Sequence, residues 1–147
     1  MRLSYEFITS PAQIRAGDAP QLNRLLAQLT KPPRTLTRQD LAAFIANANL
    51  LVVRDVDANH IVGTCCLVSY TTLVRKHGRV EDVVVDGDYR GHGIARKMVE
   101  MLLDKAREIG VDKVELTSNP SRVVANALYR SIGFQQVETN VYRMNLT

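Results

Sequence analysis

Arg79-Val80-Glu81-Asp82-Val83-Val84-Val85-Asp86-Gly87-Asp88-Tyr89-Arg90-Gly91-His92-Gly93-Ile94-Ala95 is the stretch on which the reading of the fold turns. It opens with strand-forming residues, Arg79 to Val85, and passes through the turn formers Asp86-Gly87-Asp88-Tyr89. From Ile94 it takes up an amphipathic helical pattern. The segment Arg90 to Ala95 therefore sits at a helix N-terminus. Unpaired N–H groups and the positive end of the helix dipole meet there, and glycine lets backbone come close to a ligand, so the segment reads as a cradle for an anion such as a diphosphate. Arg90 adds a directed positive charge. Read alone, Gly91 and Gly93 could equally make a tight strand-to-helix turn. Neither a Walker loop, which ends in Gly-Lys-Ser/Thr, nor a dinucleotide fingerprint with its third glycine is completed.

Downstream, Ala95, Met98, Val99, Leu102, Leu103, Ala106 and Ile109 form a broad apolar stripe, and Gly110 stops that helix. Lys113 to Thr117 reads as a strand, Ser121 to Ser131 as a helix ended by Gly133, and Phe134 to Asn145 as a final strand or bent hairpin strand. Upstream, Leu50 to Arg54 and Ile61 to Tyr70 make an antiparallel hairpin through the turn residues Asp55 to Asn59. A polar loop carrying Arg75, Lys76, His77 and Gly78 follows. Nearer the N-terminus, Leu3 to Ile8 is a strand. Asp18 is a helix cap candidate with Pro20 in the first turn, Leu22, Leu25, Leu26 and Leu29 form one face, and Lys31-Pro32-Pro33-Arg34 stops the helix. Thr37 caps a second short helix through Leu41, Phe44 and Ile45, ending near Asn47 to Asn49. The order β-α-α-β-β-β-α-β-α-β predicts one α/β domain over residues 1–147, a mixed, mostly antiparallel sheet with helices on both faces.

Composition narrows the function. A chain of 147 residues, 46% hydrophobic, can bury one sizeable core. Its net charge of +4 is dispersed, not gathered into a basic block with interleaved aromatics, so no nucleic-acid partner is expected. The apolar runs Leu50 to Val53 and Ile61 to Val68 are too short or too interrupted to span a bilayer, and the N-terminus lacks a signal-peptide core. A cytoplasmic protein without a membrane partner is the expectation. Cys65 and Cys66 are adjacent in a strand and point to opposite faces, which argues against a disulfide. His60, His77 and His92 are scattered, so no metal is expected.

Three motifs in order carry a resemblance: Val80-Glu81-Asp82-Val83-Val84-Val85 as a central strand, Arg90 to Ala95 as R-x-x-G-x-A, and Asn126 to Phe134 as N-x-x-Y-x-x-x-G-F. Together they resemble the GNAT family of N-acetyltransferases over residues 79–146, and the likeness fades toward the N-terminus. The resemblance implies acetyl-CoA as donor, a sheet whose fourth and fifth strands splay apart, and a cofactor cleft between residues 79–86 and 113–118. It implies cofactor contacts from Val83, Val84 and Val85, from Arg90, Gly91, His92, Gly93, Ile94 and Ala95, and from Asn126 and Tyr129. The backbone of Val83 and Val85 would pair with the pantetheine arm, and an N–H near Val84 would face the acetyl oxygen.

The family also places a tyrosine beside the cofactor sulfur, which makes Tyr129 the candidate general acid. Its ordinary pKa of about 10 keeps it protonated at neutral pH. Glu81 is the leading base, acting through a water, with Asp82 or solvent as alternatives; a strand carboxylate paired to an arginine would instead be structural. The expected acceptor is the primary amine of a small molecule, attacking directly in a ternary complex. The alternative acceptor is a protein N-terminus or lysine, and a non-catalytic CoA-binding module ranks below both. Residues Arg79 to Val85 are also similar to the matching strand of glucosamine-6-phosphate N-acetyltransferases, which adds an amino sugar as an acceptor option. Arg34 and Arg38, between the first helices, are candidates for recognising a carboxylate or phosphate. Oligomeric state is left open, with a homodimer as one option.

Overall fold

The computed structural model describes residues 1–32 and 34–147, which divide into two compact units, Met1–Leu116 and Thr117–Thr147. The first unit runs β1 (Leu3–Ile8), α1 (Asp18–Leu26), α2 (Arg38–Ile45), β2 (Ala48–Asp55), β3 (His60–Thr71), β4 (Lys76–Val85), α3 (Ile94–Ile109) and β5 (Lys113–Glu115). Single 3-10 turns lie at Pro11–Gln13 and Gly87–Tyr89. The strands form one sheet in the order β1-β2-β3-β4-β5, antiparallel except for the parallel pair β4 and β5. The second unit holds α4 (Val123–Ile132). No described helix is long and apolar enough to cross a membrane.

The apolar runs of β2 and β3 are explained by cover on both faces, since Leu50 to Asp55 and Ile61 to Leu67 are buried throughout. On one face Leu50, Val52, Cys66 and Val84 join Leu22 and Leu25 of α1 and Leu41 and Ile45 of α2 in one cluster. On the other lies α3, whose Met98 and Leu102 are fully buried. A Cβ on Gly63 would stand 3.3 Å from Ile94 Cγ2 and 3.3 Å from Met98 Sδ, so β3 stays bare there and the helix can settle on the sheet. Lys97 and Lys105 of α3 reach over the rings of Tyr5 and Phe7 at 4.1 and 4.8 Å, covering β1 with their chains and cationic heads.

Local signals account for most boundaries. Thr37 caps α2 reciprocally with Asp40. Gly110, at φ +79°, ends α3 and donates its N–H to Ala106 O and Arg107 O.

Five expectations need correction. Asp18 is not the cap of α1: Gly17 holds that place, and the Asp18 carboxylate binds the Arg15 amide (2.8 Å) and both terminal nitrogens of Arg54 (2.7 and 3.0 Å). A buried arginine at the end of β2 draws the carboxylate inward. β4 begins at Lys76, not Arg79, because Lys76, His77 and Gly78 register against Thr71, Tyr70 and Ser69, and backbone pairing ignores side-chain polarity. β5 ends at Glu115, two residues early. α1 ends at Leu26, before the predicted Lys31–Arg34 stop, of which Pro33 lies outside the described residues. Phe134 to Asn145 forms no strand. Its alternating apolar residues satisfy the pattern, but a strand exists only where its amides find a ladder, and within its own unit the backbone bonds this segment donates are local, from Phe134 N–H to Tyr129 O and from Thr139 N–H to Val137 O.

Candidate functional site

β5 pairs with β4 only at His77↔Lys113, Gly78↔Val114 and Arg79↔Glu115. Past Arg79 the β4 edge carries no strand partner among the described residues, and Val80 to Val85 continue with that edge open. This is the parting of fourth and fifth strands that the motifs implied. On its other edge β4 pairs with β3 through a bulge: Glu81 faces Cys66 and Val84 faces Thr64, so Asp82 and Val83 together oppose Cys65. Asp82 absorbs the extra residue at φ +55°, a left-handed conformation that strains a non-glycine residue. Strict alternation from Glu81 would put Val83 in the face of α1 and α2. With the bulge, Val84 takes that place and is buried there, while Val83 and Val85 are half-buried.

Glu81 receives a hydrogen bond from Arg79 Nε at 2.9 Å, two residues away on the same strand, and remains half-exposed. The pairing that would mark a structural carboxylate is therefore present, yet it engages one oxygen and leaves the other available. Burial raises the Asp82 pKa above the ordinary carboxylate value, and the like charge of Glu81 adds to it. Burial likewise pushes both thiols up, with Asp82 and Glu81 contributing at Cys66. Cys65 and Cys66 are thus buried, protonated and inert as nucleophiles.

Beyond β4 the chain makes its 3-10 turn, and Gly91 and Gly93 follow at φ +83° and +73°. A Cβ on either would meet nothing within 4 Å, so it is the backbone conformation and not crowding that calls for glycine. Gly91, His92 and Gly93 are exposed above buried Ile94, and no side chain caps α3. Arg90 is exposed, its Nε 3.4 Å from Val85 O. Exposed backbone at positive φ, open space above it, an uncapped helix start and an adjacent guanidinium fit an extended anionic diphosphate.

The second unit gives its motif residues local reasons. Asn126 donates from its amide nitrogen at 2.9 Å to both Asn119 O and Arg122 O, which ties the start of α4 to the loop before it. Tyr129 packs edge-on against Phe134, with ring centroids 6.0 Å apart. Gly133 turns the chain at φ +124° so that Phe134 folds back onto the tyrosine. Back in the first unit, Arg38 spends its guanidinium on Ile14 O (2.7 Å) and Pro11 O (3.1 Å), a tie within the fold instead of an acceptor contact. Arg34 is exposed. Sequence reasoning passed over Gln28, Asp55 and Tyr89, which hold the turn before the glycine loop; the only signal was Tyr89 itself, an aromatic at the end of a turn.

Residues 19–134 match the model of the acetyltransferase (GNAT) family. A probable glucosamine 6-phosphate N-acetyltransferase 2 of rice (Oryza sativa subsp. japonica) is 36% identical over 121 residues, 75% of this chain and 71% of its own. Glucosamine 6-phosphate N-acetyltransferase 1 of rice is 32% identical over 135 residues, 88% of this chain and 79% of its own. The crystal structure of an acetyltransferase of Trypanosoma brucei superimposes with a TM-score of 0.79 at 27% identity, covering 99% of this chain and 100% of that one. A match that spans most of the chain, joined to relatives this similar over this much of their length, makes the protein a member of the GNAT family, an acyltransferase of the N-acetyltransferase type.

Proposed function

We propose that the protein transfers an acetyl group from acetyl-CoA to the primary amine of a small molecule, by direct attack with donor and acceptor bound together. The observation that carries this reading is the open β4 edge, Val80 to Val85, running directly into the positive-φ glycine loop at the start of α3. Acetyl-CoA, when bound, supplies an acyl group activated as a thioester. The protein holds and orients it: amides of residues 91–95 receive the diphosphate, the open backbone of Val83 and Val85 takes the pantetheine arm, and an N–H near Val84 faces the acetyl oxygen. The free carboxylate oxygen of Glu81 receives the proton lost by the acceptor ammonium, through a water, with Asp82 or solvent as alternatives. Tyr129 Oη holds the proton destined for the departing sulfur. The two rice relatives favour an amino sugar among small amines, and a protein amine is the second acceptor class.

A screen that follows free CoA release over simple amines, amino sugars including glucosamine 6-phosphate, aminoglycosides and peptides tests the reading. Release with a small amine is the expected result. Release with peptides alone would replace it with protein acetylation, and acetyl-CoA binding without release for any amine would leave a non-catalytic CoA-binding module.

Replacement of Gly93 by valine forces a β-branched residue to φ +73°. The loop then loses its shape at a cost of about 1–2 kcal/mol, so acetyl-CoA affinity measured by calorimetry should fall roughly tenfold or more while circular dichroism still reports the fold. Unchanged affinity in a folded Gly93→Val protein would remove the donor assignment. Glu81→Gln should lower turnover roughly tenfold on the rising alkaline limb of the pH profile and leave acetyl-CoA affinity near wild type, because solvent and Asp82 replace the lost base only in part. Wild-type turnover across that limb would reduce Glu81 to a partner of Arg79.

A further inference from the structure

The glycines that shape the loop also leave it without stiffness of its own. Gly91 and Gly93 have nothing packed above them, and glycine loses more conformational freedom on ordering than any other residue. Whatever holds the loop ready must come from the turn that leads into it, and that turn is tied on two sides. The Asp86 amide bonds to Val62 O at 2.8 Å, and the Asp86 side chain accepts the Asp88 amide at 2.9 Å. Gln28, just beyond the end of α1, bridges the turn with its amide group, accepting from the Gly87 N–H at 2.9 Å and donating to Asp86 Oδ2 at 3.3 Å. From the other side Tyr89 donates its phenol to Asp55 Oδ2 at 2.6 Å. Asp55 is buried, and its second oxygen accepts the amides of Asp57 and Ala58, which locks the carboxylate to the β2–β3 turn. His60 stands edge-on to the Tyr89 ring, with centroids 5.8 Å apart. The phenol is pushed up to about 12 by its bond to Asp55, and the carboxyl of Asp55 is held below its ordinary value by the same bond.

We infer that Gln28, Asp55 and Tyr89 are positioning residues that fix the diphosphate loop in its binding shape, raising affinity for acetyl-CoA without touching it. The inference rests on the reading that residues 91–95 receive the diphosphate. A loop held in shape before binding loses less entropy when a ligand orders it, so the frame acts on affinity and leaves the reacting groups alone.

The test compares Tyr89→Phe, Gln28→Ala and Gly93→Val by acetyl-CoA calorimetry, steady-state kinetics and thermal unfolding. Tyr89→Phe keeps the ring against His60 and removes only the hydroxyl. Tyr89→Phe and Gln28→Ala should each raise Kd and KM for acetyl-CoA about three- to tenfold, the worth of a single net hydrogen bond, with kcat at saturating acetyl-CoA near wild type. Asp55→Asn, which keeps an oxygen to accept the phenol, should lose less affinity than Asp55→Ala. If Gly93→Val weakens binding while Tyr89→Phe and Gln28→Ala bind as wild type, the frame is idle and the donor reading stands. A fall in kcat with unchanged KM would equally overturn the inference. If Gly93→Val itself binds normally, the donor reading fails and the inference falls with it.

Discussion

Unfolding free energy is expected to fall by about 3–5 kcal/mol when Asp18 is replaced by alanine, a large share of a domain's total stability of about 5–15 kcal/mol. Asp18 and Arg54 are both buried and joined by two hydrogen bonds, 2.7 and 3.0 Å. Without the carboxylate, the acidic group left to the guanidinium among the described residues is Glu6, 4.0 Å from a nitrogen that already lacks a hydrogen-bond partner. The loss is thus mainly that of a stranded charge.

The same pair predicts a pH dependence. Burial pushes the Asp18 pKa up, but the hydrogen bonds from Arg54 and the Arg15 amide outweigh it, and the folded value lies below the ordinary one. A depressed carboxylate stabilises fully above its unfolded pKa of about 3.9, and that contribution is lost as pH falls through the folded value. Urea titrations at neutral pH should show the full gap between wild type and Asp18→Ala, and titrations below pH about 3 a narrowed one. A gap equal at both pH values would show that packing, not charge, holds α1 to the sheet. If the alanine variant does not fold, Asp18→Asn, which keeps the shape, permits the same comparison.

Tyr129→Phe should slow single-turnover acetyl transfer about 100-fold, the lower end of what a positioned general acid contributes. The substitution keeps the ring that packs against Phe134 and leaves the backbone bonds from Gly133 and Phe134 to Tyr129 O in place. Circular dichroism should still report the fold, and acetyl-CoA affinity should change little. Single-turnover measurement matters because the CoA thiolate is a fair leaving group, and a slow product-release step would hide a loss in chemistry. A wild-type single-turnover rate in the folded, donor-saturated variant would leave Tyr129 as a packing residue.

The elements most legible in sequence were those whose signals are local. Leu3–Ile8 follows from its strand-forming composition, α2 from the Thr37 cap and the apolar spacing of Leu41, Phe44 and Ile45, and α3 from its stripe between Gly93 and Gly110. The glycine loop was equally plain, because positive φ leaves a compositional mark. Features set by partners distant in the chain were not visible. Asp18 has the composition of a cap and became a counter-ion because Arg54, 36 residues away, is buried beside it. Nothing in Val83-Val84-Val85 announces a bulge, and simple alternation from Glu81 would give the core Val83 where the structure buries Val84. Asp55 looked like an ordinary hairpin-turn residue, although one of its oxygens reaches Tyr89, 34 residues on. The segment from Phe134 failed for the converse reason: its pattern was right, but a pattern does not supply a ladder.

The three-residue parallel pairing of β4 with β5 has a kinetic consequence. β2, β3 and β4 are successive antiparallel strands joined by short turns, so their ladders close at small loop entropy. β5 can reach β4 only after the 27 residues from Asp86 to Asp112, α3 included, have been laid across the sheet. Contacts of such sequence separation form late, and a pairing this short adds little that would nucleate collapse. The meander is thus expected to form early in folding, with the fork between β4 and β5 among the last features to assemble. Substitutions at the fork should alter the rate at which the native state opens far more than the rate at which it forms.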